Sequence, residues 1–383
     1  MKALVFTGTR AEFGLLTPLM RELLHQKCEA TWLATGIHLL PEYGNTIELV
    51  RKGPGSIAAE VPYFEKNELA DSFAAGVSGF AKVLRDERPD WLVVLGDRHE
   101  TLAVTIAASI EEIPVAHLHG GDKADSGHMD EAQRHAITRF AALHLAASEG
   151  SAQRLRKFGE EDWRIHMVGA PGIDRIHHLA TSERAAIDEA ARALPENFAL
   201  VIFHPLSLEA DQAGQQAEAL FEAMDGLAMN KLVIFPNNDP GGAAVLDVIR
   251  ARQERADYRL VPNLEAHAYI AALERASVFV GNSSSGVIEA PYFGLPMVHV
   301  GRRNFGREQA GHVDYVDFDS AEIRSKVEEA IALREAGDSD PTSRYRLAQA
   351  NNPYGDGHAA ERSVKLMLEL AGDARLLKKL ITY

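Results

Sequence analysis

The 383-residue chain predicts an α/β protein made of two successive parallel sheets, arranged as two facing Rossmann-like domains. Three observations point there. Short apolar runs alternate with longer amphipathic stretches from end to end, and glycines and charged residues cluster where the apolar runs stop. The alternation pauses once, in an alanine- and charge-rich stretch at Ser182–Ala193 that has no strand pattern and could connect two domains.

In the first half, Ala3–Thr7, Ala30–Ala34, Trp91–Leu95, Pro114–His117, Leu143–Ala147 and His166–Val168 read as strands, because each is a short apolar run. Between them, Phe13–His25 has helical spacing, with Leu15, Leu16, Leu19, Leu23 and Leu24 on one face. Thr101–Glu111 repeats the pattern with smaller residues. After the connector, Leu200–Phe203, Leu232–Phe235, Tyr258–Val261, Val278–Val280 and Met297–Val300 read as a second set of strands. Gln212–Met224, Ala243–Arg255, Ala266–Arg275 and Gly286–Phe293 read as the helices between them. The expected domains are residues 1–180 and 181–356, with a helical tail over 357–383 that crosses back to the first. Ligands of such sheets sit outside the carboxyl ends of the strands, so the cleft between the two domains is the expected site.

Composition narrows the function. With 40 Lys+Arg against 55 Asp+Glu the net charge is −15, and no basic block is long enough to follow a phosphate backbone, so nucleic acid is not an expected partner. No apolar run approaches the roughly 20 residues of a membrane-spanning helix. A single cysteine, Cys28, cannot form an internal disulfide and points to the cytoplasm.

Five strand-end clusters carry candidate chemistry. Thr7-Gly8-Thr9-Arg10 is a glycine turn at a helix start, able to present N–H groups and a guanidinium to an anion or simply to make a tight turn. Gly96-Asp97-Arg98-His99-Glu100 places titratable groups at a strand's carboxyl end; Asp97 could be a helix cap, or an acid held ionised by Arg98. His117-Leu118-His119-Gly120-Gly121-Asp122, followed by Asp130-Glu131 and Arg134-His135, is the densest group. His117 and His119 could both ligate zinc, but no third ligand with motif spacing follows, so neither metal nor cofactor is expected. His204-Pro205 and Phe235-Pro236-Asn237-Asn238-Asp239 end two strands of the second set. Finally Gly281-Asn282-Ser283-Ser284-Ser285-Gly286, with Glu289 a turn on and Arg302-Arg303 behind, suits a diphosphate, with serine capping of a helix as the plainer alternative.

These segments together (GTRAEFG, IHLLPEYGNT, LGDRHE, HLHGGD, DEAQRHAIT, FHP, FPNND, GNSSSGVIEAPYFGLP and GRR) resemble the hydrolysing UDP-N-acetylglucosamine 2-epimerases of sialic-acid and related nonulosonic-acid biosynthesis, in matching order over about residues 3 to 312. The resemblance implies a glycosyltransferase-B type fold, a homodimer or homotetramer, and a metal-free reaction in which UDP-N-acetylglucosamine and water give UDP and N-acetylmannosamine. It further implies that Asp97, Arg98 and His38 line the catalytic cleft, that Asp130 is a leading acid/base with Arg134 and His135 beside it, and that Arg10 contacts phosphate or nearby chain. His204, Asn237, Ser283, Ser284, Ser285, Gly286, Glu289 and Arg303 would hold UDP, with Glu289 at the ribose and His204 also assisting the leaving group. The chain departs from the family pattern at His119, where a carboxylate is expected; His119 itself, Asp122 or Glu131 could fill that role. The same chemistry on UDP-N,N′-diacetylbacillosamine, a UDP-sugar glycosyltransferase, and a nucleotide-sugar-binding protein without turnover are the competing functions.

Overall fold

The alternation of apolar and amphipathic segments becomes two parallel sheets in the computed structural model, which describes residues 1–41, 44, 46–63, 68–123, 129–236, 240–309, 312–337 and 352–383. The first sheet is formed by β1 (Lys2–Thr7), β2 (Glu29–Thr35), β3 (Ser56–Val61), β4 (Trp91–Leu95), β5 (Val115–Leu118), β6 (Leu143–Ala146) and β7 (Ile165–Met167), in the order β3-β2-β1-β4-β5-β6-β7. Its helices are α1 (Arg10–His25), α2 (Ile47–Lys52), α3 (Leu69–Glu87), α4 (His99–Ile110), α5 (Met129–Phe140), α6 (Glu149–Lys157) and α7 (Pro171–Ser182). The second sheet takes β8 (Phe198–Ile202), β9 (Asn230–Ile234), β10 (Tyr258–Val261), β11 (Val278–Gly281), β12 (Met297–Val300) and β13 (Val313–Val316), in the order β10-β9-β8-β11-β12-β13. With it go α8 (Arg184–Ala191), α9 (Ala213–Asp225), α10 (Gly242–Arg250), α11 (Ala266–Arg275), α12 (Ser284–Ile288) and α13 (Ser320–Gly337), and α14 (Ala359–Leu370) closes the chain.

Internal contacts divide the chain into two units. One comprises Met1–Lys123, a stretch ending at Arg175, and Gly357–Tyr383; the other is Ile176–Asp356. In the first, β1 buries alternate residues on opposite faces: Ala3 and Val5 join Leu19 and Trp32, while Leu4 and Phe6 join Phe80 and Leu92. Burial on both faces is why these strands read as continuous apolar runs. The final helix belongs here because Asp174 caps it, accepting from Ala359 N at 2.8 Å and Ala360 N at 2.6 Å, and the Trp91 indole donates to Met367 O at 3.0 Å.

Several expectations change in detail. The presumed connector Ser182–Ala193 is mostly α8, an alanine-rich helix that buries Ile187 and pairs Arg184 with Glu274. The helix expected over Gly286–Phe293 is two pieces, α12 and a 3₁₀ turn at Ala290–Phe293, because Pro291 cannot supply the N–H a continuous helix needs. The helix expected over Ala243–Arg255 stops at Arg250. Leu24 on α1 is exposed, and the buried stripe runs through Leu16, Leu19, Met20 and Leu23.

Strand order reverses at β1/β4 in one sheet and at β8/β11 in the other. Each reversal leaves a crevice at the carboxyl ends of the two strands, where α/β sheets collect ligands. No helix among the described residues is long and apolar enough to cross a membrane.

Candidate functional site

In the first unit the residues after β1, β4 and β5 meet at the strand-order reversal. Thr9 caps α1 by accepting from Glu12 N at 3.2 Å, and Glu12 reaches back so that Gly8 N–H donates to its Oε2 at 2.8 Å. This is a capping box, signalled by Thr9-x-x-Glu12. Arg10 is the exposed first residue of the helix. Beneath the turn sits Glu100, fully buried, accepting from Arg98 Nε at 2.6 Å and pairing with His99. A Cβ on Gly8 would lie 2.9 Å from Glu100 Oε1, so any side chain there would have to displace that carboxylate. Burial raises the Glu100 carboxyl, but its bonds from His99 and Arg98 outweigh that and hold it below the ordinary value. Glu12 carries the opposite consequence: burial and the nearby Glu100 charge push it up to about 7.

A second set surrounds Arg134, whose side chain is 5% exposed. It pairs with Asp97, donates to Glu131 Oε2 at 2.5 Å and donates to Asp122 O at 2.9 Å. Burial disfavours its charge, and the carboxylates of Asp97 and Glu131 more than compensate. Next to it, His119 Nδ1 donates to Asp122 Oδ2 at 2.8 Å, and the Ser151 hydroxyl donates to the other oxygen at 2.8 Å. His119 holds φ at +64°, a left-handed backbone that non-glycine residues seldom adopt. With Nδ1 committed to the carboxylate, Nε2 is left as the basic nitrogen.

The other sequence candidates in this unit fall into different settings. His38 is buried with Nε2 3.0 Å from the Thr7 hydroxyl and Nδ1 2.8 Å from that of Thr46; burial lowers it to about 4. His117 donates from Nε2 to Gly96 O at 2.8 Å and is lowered to about 3 by burial, so it is a neutral brace between β5 and the β4 loop. His135 turns away toward Phe158, with Nε2 3.5 Å from Glu131 Oε1. Asp130 is half-buried and adds its charge to the field on Arg98.

In the second unit the hub is Asn282, which no sequence signal singled out from its Gly/Ser-rich surroundings. It accepts from His204 N at 2.8 Å and donates to His204 O at 2.8 Å, tying the loops after β8 and β11 together. Its own carbonyl accepts from Asn304 at 2.8 Å and from Arg303 at 3.4 Å. Gly281 beside it has φ +128°, and a Cβ there would sit 2.1 Å from Ile202 O, which closes the β8/β11 reversal to any other residue. Ser283 caps α12 and lies 3.2 Å from the Ser285 hydroxyl, which the Tyr269 hydroxyl meets at 2.5 Å. Ser284 opens α12, Gly286 packs against Met297 and Phe279, and half-buried Glu289 follows the last turn. His204 is lowered to about 4 by burial and by Arg303. His299 donates from Nδ1 to Gly301 O at 3.1 Å, stacks on Tyr315 and is likewise lowered to about 4 by burial. Asn237 lies outside the described residues.

Thus Asp97, His119, Asp122, Glu131 and Arg134 are joined by direct contacts in one unit, and His204, Ser283, Ser285 and Arg303 gather about Asn282 in the other. Among the described residues no group of three or more His, Cys, Asp or Glu side chains is arranged to hold a metal ion.

The model of the UDP-N-acetylglucosamine 2-epimerase family matches residues 21–368. The chain belongs to that family. It is 35% identical to the hydrolysing UDP-N,N′-diacetylbacillosamine 2-epimerase of Legionella pneumophila over 100% of this chain and 99% of that protein. It is 31% identical to the UDP-N-acetylglucosamine 2-epimerase of Neisseria meningitidis, covering 92% and 95% of the two chains. Among solved structures, the Methanocaldococcus jannaschii UDP-GlcNAc 2-epimerase in complex with UDP-GlcNAc and UDP superposes with a TM-score of 0.74 at 17% identity, covering 96% of this chain and 100% of the other. This epimerase therefore has the glycosyltransferase-B type of α/β fold expected for it, and is an enzyme of the UDP-sugar 2-epimerase kind.

Proposed function

We propose that this epimerase is hydrolytic: it releases free UDP and the free C2-epimer of a UDP-linked 2-acetamido sugar. The His119–Asp122 pair carries this reading, because a buried carboxylate on Nδ1 fixes the ring's orientation and leaves Nε2 to exchange a proton with the sugar. In an α-gluco sugar the C1–O bond and the C2–H bond are both axial and opposed. His119 Nε2 takes the C2 proton, the C1–C2 double bond forms, and the C1–O electron pair leaves with UDP. The resulting 2-acetamidoglycal adds water at C1 and a proton at C2 on the other face, giving the manno configuration. Asp97, with Arg134 and Glu131 fixing it, acts on the water and the sugar hydroxyls, and Asp130 is a second candidate for that proton transfer.

In the second unit, neutral donors together with the cation Arg303 suit a leaving diphosphate. The serine hydroxyls, His204 and Arg303 take the phosphates, and Glu289 takes the ribose hydroxyls. Arg10 and Arg98 add positive charge on the sugar side, with His38 bracing Thr7 rather than touching ligand. Asn237 belongs to the UDP-binding proposal on its sequence position alone.

Two substrates compete. The identity with the Legionella protein over the whole chain favours UDP-N,N′-diacetylbacillosamine, and the Neisseria relative keeps UDP-N-acetylglucosamine as the second reading. Incubating each in deuterated water and following proton NMR tests both parts. Free UDP and a 2-epimeric sugar carrying deuterium at C2 are expected, with the larger kcat/KM for the diacetylated substrate. An epimer still joined to UDP would refute hydrolysis, and a larger kcat/KM for UDP-N-acetylglucosamine would reverse the substrate order.

A further inference from the structure

Beside the catalytic candidates, α5, α6 and the loop after β5 line an open pocket of about 350 Å³, of whose residues the proposed reaction uses only Glu131. That size is in the range of small-molecule sites. Its wall includes Leu155 and Phe158, with the His135 ring 5.3 Å from that of Phe158. Lys123, Arg154 and Lys157 stand around it against one carboxylate, Glu131, which is already engaged by Arg134. In a chain of net charge −15, three cations around one small cavity run against the protein's overall field. Lys123 and Lys157 form no ion pair with any described residue, so their charges remain available to a ligand.

The cavity is also wired to the candidate base. Arg154 Nε donates to Gly121 O at 2.5 Å and its Nη2 donates to the Ser151 hydroxyl at 3.0 Å. Ser151 in turn donates to Asp122, which orients His119. Gly121 itself lies close against α6, since a Cβ there would sit 2.3 Å from Ser151 O.

We propose that this cavity binds an organic anion with a flat apolar body, and that occupancy slows turnover by drawing Arg154 away from Gly121 and Ser151. The apolar body lies against Phe158 and Leu155, and the anionic group meets Lys157, Lys123 and Arg154. The ligand need share nothing with UDP, because the cavity residues other than Glu131 take no part in the proposed reaction.

Titration of the full-length protein with 8-anilinonaphthalene-1-sulfonate, read by fluorescence, tests the site whether or not the catalytic proposal holds. A saturable component of one probe per chain is expected, unaffected by saturating UDP. Lys157→Glu, at an exposed position, should weaken that component at least tenfold without altering basal turnover, and Phe158→Ala should also weaken it. With a turned-over UDP-sugar, the probe should lower kcat in the wild type and not in Lys157→Glu. Binding unchanged by Lys157→Glu, or abolished by UDP, would overturn the site; binding as expected with kcat unaffected would overturn the coupling.

Discussion

The two strand-order reversals in this molecule have the same topology and opposite chemistry. Around β1/β4 ionisable groups hold one another: Asp97 is held by Arg134, Glu100 by Arg98, and His119, after the next strand β5, by Asp122. At β8/β11 the groups joined to one another are mostly amides, hydroxyls and histidines lowered to about 4, with Arg303 and Glu289 as charged neighbours. Proton transfer requires charges whose balance sets one another's affinity for protons, whereas holding an anion requires donors that neither repel it nor trade protons with it. Under the proposed function, one fold used twice divides those two demands between its two reversals.

That contrast can be broken at its sharpest point first. Asp122→Asn removes the acceptor that orients His119, and should lower kcat by about 10²–10⁴ while UDP affinity, measured by calorimetry, stays within about twofold. A variant with full kcat would end the assignment of His119 as base. Asp97→Asn should also cut kcat strongly, and it should cost about 1–3 kcal/mol of stability in urea denaturation, because the nearly buried Arg134 loses a carboxylate partner and keeps Glu131. Arg303→Ala belongs to the other region and should invert the pattern: UDP affinity falls about 10- to 100-fold, as for one charge-assisted hydrogen bond.

The smallest effect is on stability against pH. His38, His117, His144, His204 and His299 all have folded values lowered by burial to about 3 or 4, so the unfolded chain binds more protons below the ordinary histidine value. Each therefore withdraws stability as pH falls from about 6.5 toward 4. Glu12, raised to about 7, and Asp174, raised to about 6, act in the opposite sense, since the folded state holds their protons longer and loses stability as pH rises through those values. Five groups against two predict a net fall in melting temperature from pH 6.5 to pH 4.5. Glu12→Gln should steepen that fall by removing one of the opposing groups; a melting temperature that rises on acidification would contradict the burial of these rings.

Most central strands were readable because burial on both faces leaves an uninterrupted apolar run. The two that escaped, β3 with SIAAEV and β13 with VDYV, are edge strands in which small or polar residues interrupt the apolar run, so the pattern fades. Strand-end chemistry was equally visible, yet its partners were not. Glu12 had a local signal in the capping box, but its raised proton affinity depends on Glu100, a residue of another βα unit. Asn282 looked like one more polar residue of a serine loop until it met the backbone of His204, 78 positions away.

By itself the sequence determined the βα alternation, the chemical types at each strand end and the family, since all three are written in short windows of residues and their order. Only the tertiary structure decided which of those types touch: β1 lies beside β4 and β8 beside β11, so residues distant in the chain become neighbours. Proton affinity and orientation depend on such neighbours and on burial, and no local pattern encodes either.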